Sequence, residues 1–518
     1  MSEADWAEVR DDFHRVRQRV RTEMGGPERV ERLRRRGGRT VRDRIGGLLD
    51  PDSFDELGTF AWTEGAESEW LPGDGKIGGT GAVEGRPVTV AGDDVTVKRA
   101  TSAHVGNDKV HRLYQHAIRT GTPFVYFGEC GGGRIPDILG ANGFTRVTGY
   151  YELTQRRRRV PLVLAIVGDS FGASSLLAGL ADLTVQVRGT CLAVTSPRVI
   201  EIATGEAIEP EQLGGVRVHT ERTGLVDVVV DDDADAIVAI RRFLSYLPSN
   251  ADTAAPRTDR GDVAPDPGVL DLVPRSRRQG YDVVALVKRL ADPDSVFELG
   301  ARFGRSLVTA LARIGGHPVG LIANQPSFQA GALTPDACDK ATKLICLCDA
   351  YGLPVVMLQD TPGFLVGSQP EHDRLVAKAM HMQQAYALAA VPKITVLLRK
   401  GYGLGYYNMG GNDAGGDLLL AWAGAEIGFM DPLAGANVVY ADELAALAPT
   451  ERATRRAEIA EQLKASTSVL GPAGIMKVDE VIDPIDTRPV LADALDRFAT
   501  RPFTPGWQRP LASWPTAW

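Results

Sequence analysis

A chain of 518 residues, 44% hydrophobic and 24% charged, is long enough to bury two or more globular cores. A net charge of −8 argues against nucleic acid as a partner, and five cysteines are too few for a disulfide framework. No apolar run is long enough to cross a bilayer, and the start MSEADWAEVRDDFHRVRQRV is too charged for a signal peptide, so a cytoplasmic protein is expected.

Taken in chain order, the first elements are basic. VERLRRRGGRTVRDRI, with arginines interleaved by Glu and Asp, predicts a solvated amphipathic helix. GRPVTVAGDDVT from Gly85 and the Pro-led runs after Pro123 and Pro161 are rich in β-branched residues and predict strands. The first of those runs ends in GECGGGRIPD and the second in GDSFGASS, both glycine turns followed by helical spacing. RRRR at 156–159 predicts a solvated helix end or a subunit rim. His219 falls in the loop GGVRVHTERTG. The Pro-, Asp- and Gly-rich segment 248–268 separates two halves, placing domains at 1–255 and 269–518 with a linker at 256–268.

Beyond that segment the chain repeats itself. GHPVGLIANQPS begins at Gly316, LPVVMLQDTPGF has its proline at 354, and VPKITVLLRKGYGLGYY has its proline at 392. Subtracting 85 from 316, 123 from 354 and 161 from 392 gives 231 each time, which marks a duplicated domain. DACDKATKLICLCDAYGLP and EHDRLVAKAMHMQQAYALAAVP supply helices between the strands of the second copy. Strand, glycine turn and helix in repetition predict an α/β fold of stacked ββα units with helices outside. Cys346 and Cys348 lie on different faces of one helix and read as core, not as a metal pair.

A strand that turns through small residues into a helix leaves N–H groups without partners, suited to a carbonyl that becomes an oxyanion. GDSFGASS at 168–175 and RKGYGLGYY at 399–407 follow equivalent strands, so the pair predicts two carbonyl-polarising turns. Serine-hydrolase, zinc-protease and P-loop motifs are absent from the sequence. Cys130, His104 and His219 read as structural rather than catalytic, and Lys477 beside Met476 does not match a biotin-attachment site.

With these motifs assembled, the chain resembles the carboxyltransferase β subunits of biotin-dependent acyl-CoA carboxylases, of the propionyl-CoA carboxylase kind, and related decarboxylases. The resemblance runs over about residues 30–500 and is carried by RTVRDRIGGLLDPDSFDELGTF, TSPRVIEIATGEAIEPEQLGGVRVH, FGRSLVTALARIGGHPVGLIANQP, CDAYGLPVVMLQDTPGF, VPKITVLLRKGYG and VDEVIDPIDTRPVL. It implies two tandem crotonase-like domains, each a spiral of ββα units, in a hexamer of two stacked trimers with sites between the N-domain of one subunit and the C-domain of another. It implies that Gly172 and Ala173 hold an acyl-CoA thioester carbonyl, and that Gly403, Leu404 and Gly405 hold the carbonyl of N-carboxybiotin. Gly131, Gly132 and Arg134 would line the CoA side; Asn324, Gln325, Pro362, Gly363, Phe364 and Tyr402 would line the biotin side. Biotin would arrive on a carrier with its biotin carboxylase, both supplied by a partner subunit, and no metal is implied in this chain.

Several positions depart from the family pattern. Lys98 and Arg99 stand where small residues are usual, and could bind CoA phosphates or an acidic acyl group; bulky Phe171 adjoins the first turn. Tyr407 occupies a position that helps select the acyl chain, and Pro370, Glu371 and His372 replace the usual Q-E-Y. Three readings follow: a carboxyltransferase with an unusual substrate; a biotin-independent relative such as a decarboxylase or tailoring enzyme on a CoA- or carrier-bound acid; or a non-catalytic partner or scaffold in which one of the turns is inactive.

Overall fold

The apolar runs after Pro123 and Pro161 form strands Phe124–Gly128 and Leu162–Ile166, in which every residue is buried. Unbroken apolar strands are what a parallel sheet covered on both faces requires. The computed structural model describes residues 3–63, 69–502 and 504–514. It divides into one unit ending at Thr253 and a second beginning at Ala254.

In the first unit seven strands follow one another across the sheet in chain order: Asp55–Glu56, Lys76–Val83, Arg86–Asp93, Phe124–Gly128, Leu162–Ile166, Leu183–Val187 and Val228–Val230. The first three are antiparallel and the rest are parallel. The second unit repeats the scheme with Phe297–Leu299, Leu307–Ile314, His317–Asn324, Val355–Thr361, Lys393–Tyr402, Leu418–Trp422 and Glu480–Ile482, and Glu426–Gly428 pairs with the end of Lys393–Tyr402. The hairpins superpose in number as well as shape: Lys76 pairs with Asp93 and Leu307 with Asn324, each 231 residues on.

Helices His104–Thr120 and Pro335–Tyr351 keep the same separation, and both stop at left-handed glycines, Gly121 (φ +65°) and Gly352 (φ +72°). Each buries one lysine. Lys109 donates to the carbonyls of Gly58 (3.0 Å) and Lys76 (2.8 Å), and Lys340 donates to that of Gly300 (3.1 Å). Burial lowers their pKa values to about 8 and about 7.

Three expectations need correction. The segment 30–45 is two helices, Pro27–Arg35 and Val41–Leu48, separated at left-handed Gly37; Thr40 caps the second in a reciprocal box with Asp43. The first helix buries none of its residues, as expected, but Arg44 on the second is buried between Glu129 and Asp233. In RRRR, Arg156 and Arg158 are buried against Asp182 at the entry to Leu183–Val187, so they brace the sheet. Residues 256–268 are bound to the second unit: Arg313 donates to Pro256 O, Thr258 N–H to Gly316 O and Asp266 N–H to Ile485 O. Among the described residues no helix is long and apolar enough to cross a membrane.

Candidate functional site

The two copies build the same backbone frame. Ser102 N–H donates to Gly132 O (2.8 Å) and Arg134 N–H to Ser102 O (2.8 Å); 231 residues on, Leu333 N–H donates to Gly363 O (3.0 Å) and Leu365 N–H to Leu333 O (2.9 Å). Gly132 and Gly363 have φ of +98° and +117°, and Gly172 and Gly403 have +69° and +58°, conformations that glycine adopts without the steric cost a Cβ would add. Beside this frame runs a left-handed three-residue turn, Lys98–Arg99–Ala100 (φ +48°, +56°, +51°) in one copy and Gln329–Ala330–Gly331 (+47°, +54°, +79°) in the other. Such conformations cost non-glycine residues about 1–2 kcal/mol each and persist where surrounding bonds enforce them.

The glycine turns present backbone donors. At the first, Gly172 N–H is bonded to Val194 O (3.0 Å), whereas Ala173 N–H, at the first position of helix Ala173–Leu176, meets no acceptor among the described residues. The open donor of the predicted pair is therefore Ala173. At the second, Leu404 and Gly405 N–H in helix Gly403–Asn408 meet no acceptor among the described residues. A Cβ on Gly405 would lie 2.8 Å from Gly363 Cα, so the Pro362–Gly363–Phe364 turn seats directly on this helix and Gly405 must remain glycine. Leu404 and Tyr407 are exposed beside it, Tyr407 edge-on to Tyr406 at 5.2 Å.

What holds each left-handed turn differs between the copies. The Gly331 carbonyl accepts from Asn324 Nδ2 (3.1 Å) and Thr361 Oγ1 (2.9 Å), while Asn324 Oδ1 accepts from Asp360 N–H (3.0 Å). In the first copy the corresponding residues are Ala100, Asp93, Cys130 and Glu129. Asp93 accepts Glu129 N–H (3.0 Å) in the same way but has no amide to donate; Lys76 Nζ donates to Ala100 O (3.0 Å) instead and forms a buried ion pair with Asp93. Tyr126 (2.8 Å) and Ser174 (3.0 Å) hydroxyls also donate to Asp93. Burial works against the Lys76 ammonium, yet Asp93 with Cys130 and Tyr126 outweighs it and holds the pKa above the ordinary lysine value. Burial, reinforced by Asp93, pushes the Tyr126 phenol up.

Other residues named from the sequence fall as follows. Lys98 and Arg99 are exposed, Lys98 paired with Glu69 (2.6 Å). Gly131 N–H donates to Arg99 O (2.9 Å), and Phe171 is buried and bridged to Gly131 beside the first turn. Arg134 is buried and engaged by Asp74, Thr63 and the Thr101 carbonyl, which leaves it a brace for the Gly132 frame. Asn324 braces the left-handed turn, and Gln325 bonds Asp282 (2.7 Å) and Val283 N–H (3.1 Å) at a helix start. Tyr402 donates to Glu426, which Arg277 also holds. His104 bonds Gly143 O, His219 bonds Leu192 O and Thr223, and Cys130 donates to Ala100 O, all structural as read. Lys76, Asp93, Tyr126 and Ser174 were missed; the available signal was the register of the repeat, which sets Asp93 against Asn324.

Two strand–turn–helix sites with open backbone donors are the arrangement an α/β enzyme needs to polarise carbonyl groups through its backbone. Residues 32–509 match the carboxyl transferase domain family, and the chain belongs to it. It is 37% identical over 486 residues to the 12S subunit of methylmalonyl-CoA carboxyltransferase of Propionibacterium freudenreichii subsp. shermanii, covering 92% of each chain. It is 35% identical over 505 residues to the propionyl-CoA carboxylase beta chain of Saccharopolyspora erythraea, covering 92% of this chain and 90% of that one. Its fold matches the transcarboxylase 12S structure, described as a hexamer with methylmalonyl-CoA and methylmalonic acid bound, with a TM-score of 0.89 at 35% identity over 95% of each chain. The architecture is thus the tandem crotonase-like fold expected.

Proposed function

We propose that the chain is the carboxyltransferase component of a biotin-dependent acyl-CoA carboxylase, moving a carboxyl group between N-carboxybiotin and the α-carbon of an acyl-CoA. The observation that carries this is the pair of open donor turns, Ala173 in one copy and Leu404–Gly405 in the other, on a frame repeated 231 residues apart. Ala173 N–H holds the thioester carbonyl and stabilises it as enolate charge develops; a donor of this kind is worth about 3–4 kcal/mol in the transition state. Leu404 and Gly405 N–H hold the ureido carbonyl on the biotin side, a planar group that fits where Gly363 and Gly405 leave no room for side chains. Biotin, when bound, supplies the carboxyl group and a ring nitrogen able to take the α-proton. That chemistry leaves this chain with binding, orientation and charge stabilisation, in keeping with backbone donors alone.

A partner carrying biotin and its carboxylase and a hexameric assembly belong to the same proposal, supported by a relative named as a biotin-dependent carboxylase subunit and by the hexamer described for the 12S structure; a cytoplasmic setting is proposed with them. The open donors of the second turn favour this reading over a biotin-independent one. The test incubates the purified chain with free biotin and carboxyl-labelled 2-carboxyacyl-CoAs. Acid-labile label on biotin is expected; label released as CO₂ at the same rate with biotin omitted would overturn it. Sedimentation of the purified chain as a stable monomer would overturn the hexamer.

A further inference from the structure

Beside Ala173 lies a cavity of about 300 Å³ within the first unit, and its lining is divided. Ser102, Tyr126, Ser174 and Lys76 form a polar end at the turn; Val110, Val147, Leu153, Leu177 and Leu180 form the aliphatic part of the rest, with Asn107, His111, Thr148 and Thr154 interspersed among them. The polar end is already bonded internally, through Asp93 to Lys76, Tyr126 and Ser174, so it is a fixed wall. Leu176, exposed to solvent, places one side of the cavity at the surface.

We infer that this cavity receives the alkyl chain of the acyl group and that the substrate is an acyl-CoA of medium chain length. The inference rests on the carboxyltransferase reading above, which puts the thioester carbonyl at Ala173 N–H. From that point an alkyl chain buries against Val110, Val147, Leu153, Leu177 and Leu180. A volume of about 300 Å³ leaves room for a chain of roughly six to eight carbons and is far more than an ethyl group needs. Val110, Leu153 and Leu177 are the residues that set the length, coming from three different segments of the wall.

The experiment titrates the purified full chain with propionyl-, hexanoyl-, octanoyl- and dodecanoyl-CoA by calorimetry, and measures carboxyl transfer from methylmalonyl-CoA to free biotin on the same preparation. Affinity is expected to rise about fourfold per methylene, roughly 60-fold from propionyl to hexanoyl, and to fall off by dodecanoyl. Leu153→Trp and, separately, Val110→Phe should remove the gain for hexanoyl and octanoyl while leaving propionyl-CoA affinity within threefold, which also shows that the variants are folded. Equal affinity across the series, or a gain that both variants retain, overturns the assignment. Biotin carboxylation with a flat series refutes the pocket and leaves the carboxyltransferase reading standing; a length-dependent series without transfer refutes that reading and supports an acyl-binding cavity.

Discussion

Exchanging the first copy's brace for the second copy's is the sharpest test of the repeated frame. Lys76→Leu introduces the residue found 231 positions later, Leu307, but leaves Asp93 charged, buried and without its cation, and leaves the Ala100 carbonyl with one donor fewer. Removing one member of a buried pair costs about 3–5 kcal/mol. Asp93→Asn alone strands the ammonium of Lys76 at a similar cost. Together the two substitutions install the arrangement of Asn324: the new amide donates to Ala100 O and accepts Glu129 N–H, as Asn324 does for Gly331 and Asp360. What remains is the Tyr126 hydroxyl, which loses an acceptor at about 1–3 kcal/mol. Adding Tyr126→Phe should recover most of that, since Met357 fills the equivalent place without a hydroxyl. Urea unfolding of the four variants is the assay, and the double variant should be more stable than either single one. Losses that simply add, or a double variant weaker than both singles, would refute the claim that the two braces do the same task.

Three other outcomes follow from the geometry. Gly405→Ala puts a methyl 2.8 Å from Gly363 Cα, so biotin carboxylation should fall about 10²–10³-fold, the loss of one oxyanion donor, while acyl-CoA affinity at the other turn holds; full transfer activity in the variant would contradict this. Asn324→Ala should lower the unfolding midpoint and leave the KM for free biotin unchanged if its amide only braces Gly331; a raised KM with unchanged stability would restore it to the biotin side. Lys340, with its pKa lowered to about 7 by burial, binds its proton less tightly folded than unfolded; its favourable contribution is complete above the ordinary 10.5 and lost as pH falls to about 7. The difference is worth roughly 5 kcal/mol at 1.36 kcal/mol per pH unit, so Lys340→Met should remove the rise in stability that begins near pH 7 and leave the one from Lys109 that begins near pH 8, read from urea midpoints.

The architecture was legible because its signal is translational: three prolines and glycines at one constant spacing fix the duplication, and fully apolar strands fix the parallel sheets. The turns at Gly172 and Gly403 were legible for the same reason. Side-chain roles near them were not. Arg134, Asn324 and Gln325 sit inside motifs next to the turns and read as ligand contacts, yet all three are buried, and a buried polar group must first satisfy itself and its neighbours. Arg156 and Arg158 misled in the opposite direction, since a run of four arginines reads as solvated and only the fold brings Asp182 against two of them. Lys76 escaped notice because its partner Asp93 lies across a hairpin, at the far end of the neighbouring strand.

The duplicated copies act as an internal control on which features the frame needs. Both hold a left-handed turn whose third carbonyl, at Ala100 or Gly331, receives two side-chain donors. One copy meets that need with a neutral amide and a threonine, the other with an ammonium, itself paired to the Asp93 carboxylate, and a thiol. The carbonyl's requirement therefore belongs to the turn, and the choice of donors is free. The choice has a consequence, because only the charged version draws Tyr126 and Ser174 toward Asp93, and those hydroxyls form part of the wall of the 300 Å³ cavity beside Ala173. Replacing the charged brace by the neutral one should thus disturb acyl-CoA binding at the first turn more than it disturbs folding.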